Sequence, residues 1–394
     1  MKKLVRVLLF FSFLISCDSN SENQQWQKGN LHTHSFWSDG NDFPEMIIQW
    51  YKNQGYQFIA LSDHNTIAKQ ERWYELSKKD IENKVLEKYE NAYGDWVETQ
   101  TDSMGVRVRL KTFDEYRSKL EEPGRFLIVK SEEVTSSYEK KPIHINVTNI
   151  QEKIEPVKGS SVVEIMQKTL DLVHAQREKL GIPMFAHINH PNFGYGISTE
   201  DLKKLNGERF FELYNGHPAV NNAGNDEYDS TEIMWDLVNI HYLDQGKPLL
   251  YGIATDDSHH YHNYPAGLSN TGRGWVKEKT KKLETSSLIE AMEKGDFYAS
   301  TGIRIKKYVV TKNQIRVEVE PEQGVHYEIL FLGYKDGGEA VETLERIEDT
   351  KGSYTFQDND LFVRVKITSD ALKESPPNTQ ETKQAWTQPF LVKN

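Results

Sequence analysis

Segment after segment of this chain runs from a short apolar stretch straight into histidine or carboxylate residues, and that recurrence constrains the fold more than any other feature. Phe58-Ile59-Ala60-Leu61 leads into Ser62-Asp63-His64, and Phe126-Leu127-Ile128-Val129 leads into Ser131-Glu132-Glu133. His144 lies within Ile143–Val147, and Pro183-Met184-Phe185-Ala186 leads into His187-Ile188-Asn189-His190-Pro191. Leu249–Ile253 leads into Asp256-Asp257-Ser258-His259-His260, and near the start Asn30-Leu31 leads into His32-Thr33-His34. Packing alone does not ask for polar, titratable groups at every strand end, because burying them carries a desolvation cost.

The apolar stretches, with Phe210–Tyr214 added, have the length and composition of buried strands. Helical patterns are expected between them over 44–54, 71–92, 161–180, 230–245 and 285–294, the first opening on Pro44, which suits a first helical turn. Strands alternating with helices predict βα units around a mostly parallel sheet or barrel, hence an α/β fold. Residues 67–125 form an excursion too long for a plain loop, expected to be helical and then extended around Val106–Leu110, as a lid or pocket wall or as a decorative insertion. Beyond about Arg304 the pattern becomes strict alternation, in Ile315–Val319, Tyr327–Phe331 and Leu361–Ile367, without helices. That predicts a small all-β, sandwich-like domain over 305–394.

The N-terminus reads differently. A basic start (Lys2, Lys3, Arg6) precedes an apolar run, Val7 to Ile15, too short to span a bilayer as a mature helix and suited to a signal peptide. The run ends in Leu14-Ile15-Ser16-Cys17, which resembles a bacterial lipobox and implies a signal peptide over 1–17, a lipid anchor on Cys17 and an exported, membrane-anchored protein. Residues 18–28 read as a flexible tether and 29–304 as the main domain. Cys17 is the chain's one cysteine, so the mature fold has no disulfide, thiol nucleophile or thiolate metal site. With 48 Lys and Arg against 59 Asp and Glu, the net charge is −11, which argues against general nucleic-acid binding.

His32 and His34, two apart on an extended segment, face one way. If the strands form a barrel, their carboxyl ends share one mouth, where active sites are built. Imidazole and carboxylate donors suit zinc, manganese or iron. Each residue alone has an ordinary structural explanation: a lone strand histidine is usually a satisfied polar group, Asp63 suits a cap, and Glu212, His217, His187, His260 and His262 suit surroundings or solvent. The joint pattern is what points to metal.

His32-x-His34, Asp39, Ser62-Asp63-His64, Glu133 with His144, His190-Pro191 and Asp257-x-His259 together resemble the PHP (polymerase and histidinol phosphatase) family, and most of all its CehA/McbA-type metallohydrolase branch. Gly295–Gly302 and Ala385–Phe390 add to the likeness. The resemblance implies a distorted (β/α)7 barrel holding two or three divalent metal ions (Zn, Mn or Fe). It implies nine ligands: His32, His34, Asp39, His64, Glu133, His144, His190, Asp257 and His259. Glu133 rather than Glu132 fits the pattern, as the residue tending to bridge two metals, and His190 rather than His187.

Three carboxylates against two or three dications leave a positive excess of about one to three charges, which suits an anionic substrate. The expected function is therefore hydrolysis of a small organic phosphate mono- or diester by metal-activated water. In that scheme Asp63 or Asp256 orients a ligand histidine, His260 protonates the leaving group, and Arg273 on its Gly-flanked loop clamps phosphate, with Asn192 and Tyr195 as weaker candidates near the mouth. The alternatives are a carbamate, ester or amide hydrolase on the same cluster, or a non-catalytic binding lipoprotein.

Overall fold

The computed structural model describes residues 25–103, 105–265, 267–377 and 379–392. The expected signal peptide, Cys17 and most of the tether lie outside the described residues. The tether's end needs correction. Residues 25–28 belong to a strand, paired in register from Gln25 opposite Thr280 to Lys28 opposite Lys277. Their Gln and Lys content disguised a strand whose residues Trp26, Gln27 and Lys28 are all only half-buried.

The chain begins with β1 (Gln25–Asn30), α1 (Pro44–Asn53) and β2 (Phe58–Leu61). The excursion holds β3 (Arg72–Glu75), α2 (Lys78–Glu82), α3 (Val85–Tyr93), β4 (Thr99–Asp102), β5 (Gly105–Leu110) and α4 (Phe113–Leu120). Then come β6 (Leu127–Tyr138), β7 (Lys141–Thr148), α5 (Val162–Leu180), β8 (Phe185–Ile188), α6 (Thr199–Lys203) and β9 (Phe210–Asn215). They are followed by α7 (Thr231–Asp244), β10 (Tyr251–Thr255), β11 (Trp275–Thr280), α8 (Thr285–Lys294) and β12 (Phe297–Ser300). The rest is β13 (Ile305–Val310), β14 (Gln314–Val319), β15 (Tyr327–Lys335), β16 (Glu342–Ile347), β17 (Lys351–Thr355), β18 (Asp360–Leu372), β19 (Thr382–Thr387) and β20 (Phe390–Leu391).

Local chemistry sets the helix ends. Pro44 opens α1, Ser161 caps α5 by accepting from the Glu164 amide, and Gly181 and Gly295 close α5 and α8 in the left-handed conformation. The expected helix over 71–92 is instead β3 followed by two short helices. Ser77 and Asp80 form a capping box that starts α2, so the helical pattern cannot run back through Arg72–Glu75. The excursion forms a three-stranded antiparallel sheet, β3-β5-β4. It is tied to α1 through the buried Glu45, which accepts from the Tyr89 hydroxyl at 2.8 Å and the Trp96 indole at 2.9 Å.

The main sheet runs β10-β9-β8-β7-β6-β2-β1-β11-β12-β19-β18-β15-β16. The expected (β/α)7 barrel is not closed by hydrogen bonds, and the sheet is mixed. β1, β2 and β6 are parallel, as are β8, β9 and β10, whereas β7 is antiparallel to both of its neighbours. The cause is local: Glu139 and Lys140 both adopt positive φ (46° and 70°), a tight reversal that sends β7 back along β6 without a crossover helix. The sheet curls until β10 lies beside β11 and β12, yet no ladder joins them. The Gln388 side chain instead takes a strand's place on this edge, accepting from the Gly252 amide at 2.9 Å and donating to the Gly252 carbonyl at 2.8 Å. Apolar side chains of Leu31, Phe58, Ala60, Val129, Phe185, Phe210 and Ile253 fill the inside of the curl.

The C-terminal strands are all β, as the alternation predicts, in two layers: β19-β18-β15-β16, and β13-β14-β17, with Ile315, Val317, Ile329, Phe331, Val365 and Ile367 in one core. Position 304 falls between β12 and β13, but the main sheet runs across it, because β12 pairs with β19 (Ala299 opposite Trp386). Among the described residues no helix is long and apolar enough to cross a membrane.

Replacing Gln388 by Ala leaves a buried amide and carbonyl of Gly252 without their partner, at a cost of about 1–3 kcal/mol. Chemical denaturation of Gln388→Ala is expected to show that loss; a change within about 0.5 kcal/mol, the usual surface range, would mean that the clip is idle.

Candidate metal centre

Backbone clips bring the sequence-distant residues together. The His32-Thr33-His34 segment lies parallel to Asp257-Ser258, with the Asp257 amide donating to the His32 carbonyl at 3.0 Å and the His34 amide to the Ser258 carbonyl at 2.9 Å. A second bridge sets His64 against Glu133, flanked by Asn65 donating to the Glu133 carbonyl at 2.9 Å. His144 sits opposite Thr135 in the β6–β7 hairpin, and its carbonyl accepts from Asn189 at 3.1 Å. Side-chain alternation on β6 turns Glu133 to the histidines and Glu132 away, to accept from the Ile154 amide.

All nine expected ligands converge. Glu133 Oε1 lies 3.3 Å from His32 Nε2, 3.0 Å from His144 Nδ1 and 3.6 Å from His190 Nε2. Its Oε2 lies 3.3 Å from His34 Nε2 and 2.7 Å from His64 Nδ1, but accepts no well-formed hydrogen bond. Asp257 Oδ1 is 3.2 Å from both His32 Nε2 and His34 Nε2, which are themselves 3.1 Å apart. Asp39 reaches His259 Nε2 at 3.4 Å, His34 Nδ1 at 3.6 Å and His64 Nε2 at 3.6 Å. Among the described residues four groups result: His34, Asp39, His64 and His259; His32, His34 and Asp257; His64, Glu133 and His144; and His32, His187 and Glu212, while His190 approaches only through Glu133. Ligands held about 2.1 Å from one ion are separated by about 3.0–3.4 Å, and these donor atoms crowd one another at such spacings. The donor set fits divalent ions.

The site is layered. His32, His34 and Glu133 are fully buried, whereas the Asp39 side chain is 56% exposed and that of His64 23%. Solvent and substrate therefore reach the cluster from the Asp39–His64 side. Two ligands sit on strained backbone, with φ of +23° at His190 and +48° at Asp257, a conformation costing about 1–3 kcal/mol where it is imposed.

Without metal, the cluster balances itself with protons. Burial pushes the His64 imidazole down, but Glu133, Asp39 and Asp257 outweigh it and raise it to about 9. Burial likewise opposes a charged His32, and Asp257, Glu133 and Glu212 override it and hold its pKa well above the ordinary value. His34 goes the other way, to about 3, through burial and then the neighbouring His259 and His64. Burial pushes Glu133 and Asp257 up, yet the surrounding imidazoles keep both well below the usual carboxylate range.

The residues expected to take part beside the ligands sit differently. Asp63 touches no ligand histidine; it accepts from the Ser35 amide (2.7 Å), the Ser35 hydroxyl (2.8 Å) and the Ser38 hydroxyl (2.7 Å), pinning the loop that carries Asp39. Its influence on His34 passes through Ser38, whose hydroxyl is 3.3 Å from His34 Nδ1. Asp256 is likewise structural, held by Tyr51 and the amides of Gly272, Arg273 and Gly274. Arg273 is not a phosphate clamp. It is 4% exposed, and its guanidinium donates to the Gly216 and Leu268 carbonyls, each at 2.6 Å, and to Asn270 at 3.0 Å. His260 falls outside the ligand groups, and burial followed by His259, Lys79 and His217 lowers it to about 4. It is neutral near pH 7 and poorly suited to donate a proton. Asn192 and Tyr195 are also taken up: Asn192 donates to the Asn221 and Asp229 carbonyls, and Tyr195 stacks on Tyr228 at 3.9 Å.

The sequence reading passed over Glu212 as ordinary. It lies on β9, fully buried, and its carboxylate gathers His32 Nδ1 (2.7 Å), the Thr255 hydroxyl (2.6 Å), the Asn215 amide group (2.8 Å) and the backbone amide of His190 (2.7 Å). One side chain thus aims the His32 Nε2 nitrogen at the cluster and holds the strained His190 backbone. His187 is turned to the same carboxylate, 3.7 Å away, rather than to Glu133. The available signal was a lone acid inside the apolar run Phe210-Phe211-Glu212-Leu213.

No family model matches the chain, and no curated protein matches it. Among solved structures it is similar to a two-domain protein from Bacteroides vulgatus ATCC 8482 containing a predicted PHP-like metal-dependent phosphoesterase (15% identity, 93% of this chain and 96% of that one, TM-score 0.42). It is also similar to a putative metal-dependent phosphoesterase from Bifidobacterium adolescentis ATCC 15703 (11% identity, 62% and 93%, TM-score 0.30). A third is an amidohydrolase from Chromobacterium violaceum (13% identity, 67% and 96%, TM-score 0.28). Likeness at this level leaves function to rest on the side chains themselves.

Glu212→Gln keeps the shape and removes the charge behind His32, and a change of this kind is expected to weaken metal binding about 10–100-fold. Metal titration followed by elemental analysis checks this, and unaltered affinity would reduce Glu212 to a packing residue. Proton release gives a separate test. Because His64 in the metal-free protein stays protonated up to about pH 9, its ion pairing stabilises the fold fully below the ordinary value of 6.5 and is lost as pH rises through about 9. Metal must displace that proton, so calorimetry in buffers of different ionisation enthalpy at pH 7.5 is expected to show release of at least one proton per chain, with affinity rising toward pH 9.

Proposed function

We propose that this chain is a metal-dependent hydrolase of the PHP type, of the CehA/McbA kind, whose substrate is a small organic phosphate mono- or diester. The observation that carries the proposal is the convergence of six imidazoles and three carboxylates at spacings suited to two or three shared divalent ions, open to solvent on one side. His34, Asp39, His64 and His259 would hold an ion at the exposed face. His32, Asp257, His144 and His190 would hold others deeper in, with the two Glu133 oxygens turned toward different histidines and placed to bridge. Bound there, such ions supply Lewis acidity and activate water near neutral pH.

The chain's own residues supply placement. Glu133 and Glu212 orient the buried imidazoles, Asp63 fixes the Asp39 loop, and Asp39 borders the opening. Arg273 is spent on backbone carbonyls, so the attraction for an anion falls to the ions. The Cys17 motif supports a chain exported and anchored by lipid, which sets the reaction outside the cytoplasm.

The test compares the chain with a His64→Ala, Asp257→Ala double variant. Bound metal is measured alongside hydrolysis of p-nitrophenyl phosphate and its bis ester. Two to three ions per chain, with turnover at least 100-fold lower and metal lost in the variant, is the expected result. Full metal with turnover of an aryl carbamate but no phosphate ester would overturn the phosphoesterase reading, and failure to bind zinc or manganese would overturn the hydrolase itself.

A further inference from the structure

A second recess, remote from the metal ligands, lies over the outer face of β1 and β11, where the end of α1 and the C-terminal strands leave a cleft of about 920 Å3. Its floor carries an anomaly. Lys28 and Lys277 are direct cross-strand partners, so two ammonium groups share one side of the sheet. Like charges placed this way repel, and natural sheets put opposite charges there. Among the described residues neither lysine forms an ion pair with a carboxylate, although Arg304 and Lys383 at the rim are both paired, with Glu320 and with Glu322 and Glu374. Lys28 rests instead on aromatic faces, 3.8 Å from the Tyr56 centroid and 5.1 Å from that of Trp275. Burial draws Lys28 down to about 8 against the pull of Asp256, with Lys277 adding to the fall, and burial lowers Lys277 against the pull of Glu320.

Around this cation pair stand the flat surfaces of Trp26, Trp50 and Tyr264, with the amides of Gln27 and Gln54 beside them. The geometry points to a binding site for an acidic saccharide, a sugar bearing carboxylate or sulfate groups. The anion would sit between Lys28 and Lys277, a ring would stack on an indole, and hydroxyls would meet the glutamine amides. Each part answers a feature of the cleft: like charges set directly across the sheet, two partly desolvated cations with no carboxylate in ion-pair reach among the described residues, and half-buried aromatic planes at a junction between two parts of the chain, where ligand sites concentrate. Nearby Gly272, whose Cα faces Trp50, belongs to the loop held by Asp256, next to the ligand Asp257.

The experiment is tryptophan fluorescence and calorimetric titration of the full chain with digalacturonate and a sulfated disaccharide, each beside its neutral parent sugar, and with inorganic sulfate alone. A charged sugar is expected to bind at least tenfold tighter than its parent and than sulfate, and to weaken as salt is raised. The Lys28→Gln, Lys277→Gln double variant should lose at least tenfold in affinity while its melting temperature stays the same or rises, since repulsion is relieved. That stability readout separates a lost site from a lost fold. No binding of either charged sugar, equal binding of the neutral parent, sulfate binding as tightly as the sugar, or a variant that binds unchanged would each overturn the proposal.

Discussion

Glu133 is a fully buried carboxylate ringed by five imidazoles from four different stretches of chain, and much of the molecule is arranged to make that burial tolerable. A lone buried anion is too costly to keep charged. Here His32, His34, His64, His144 and His190 share its two oxygens, and apart from the His32–His34 pair each comes from a different strand or strand end. The parallel run β1-β2-β6 and the β6–β7 hairpin bring four of them to one mouth. The β8 terminus brings the fifth.

A further set of groups makes this arrangement rigid. Glu212 gathers four donors behind His32 and His190, Asp63 ties down both serines of the Asp39 loop, and Asp256 collects three successive amides before β11. These three acids hold the fold so that the other three, Asp39, Glu133 and Asp257, can face the cluster. Five buried acids and the exposed Asp39 gather at one sheet edge and divide the work between holding the backbone and facing the cluster.

The gathering of the expected ligands was legible because most of them stand at the end of an apolar run, and the recurrence survives the loss of any single strand. Helices bounded by Pro44, Ser161 or Gly181 were legible for equally local reasons. What escaped depended on partners distant in the chain. Arg273 on a glycine loop looks free until the Gly216 and Leu268 carbonyls close on it. Glu212 looks incidental until His32, 180 residues earlier, turns to it. The antiparallel course of β7 hinged on two residues with positive φ, and non-glycine residues carry little warning of that. Gln25–Lys28 read as a tether because their polarity suits solvent equally well, and only β11 shows otherwise.

The pairing of β1 has a consequence for how the molecule is made. The first described strand is not at an edge: it sits in the middle of the main sheet, with β2 on one side and β11, which begins at Trp275, on the other. During synthesis, one flank of β1 has nothing to bind until some 250 residues more have emerged, an estimate set by the strand positions and by the slowness of long-range pairing. The half-built sheet is an unfinished surface through most of translation, and the last strand to dock on it seals the centre, so the protein is committed to its folded state late.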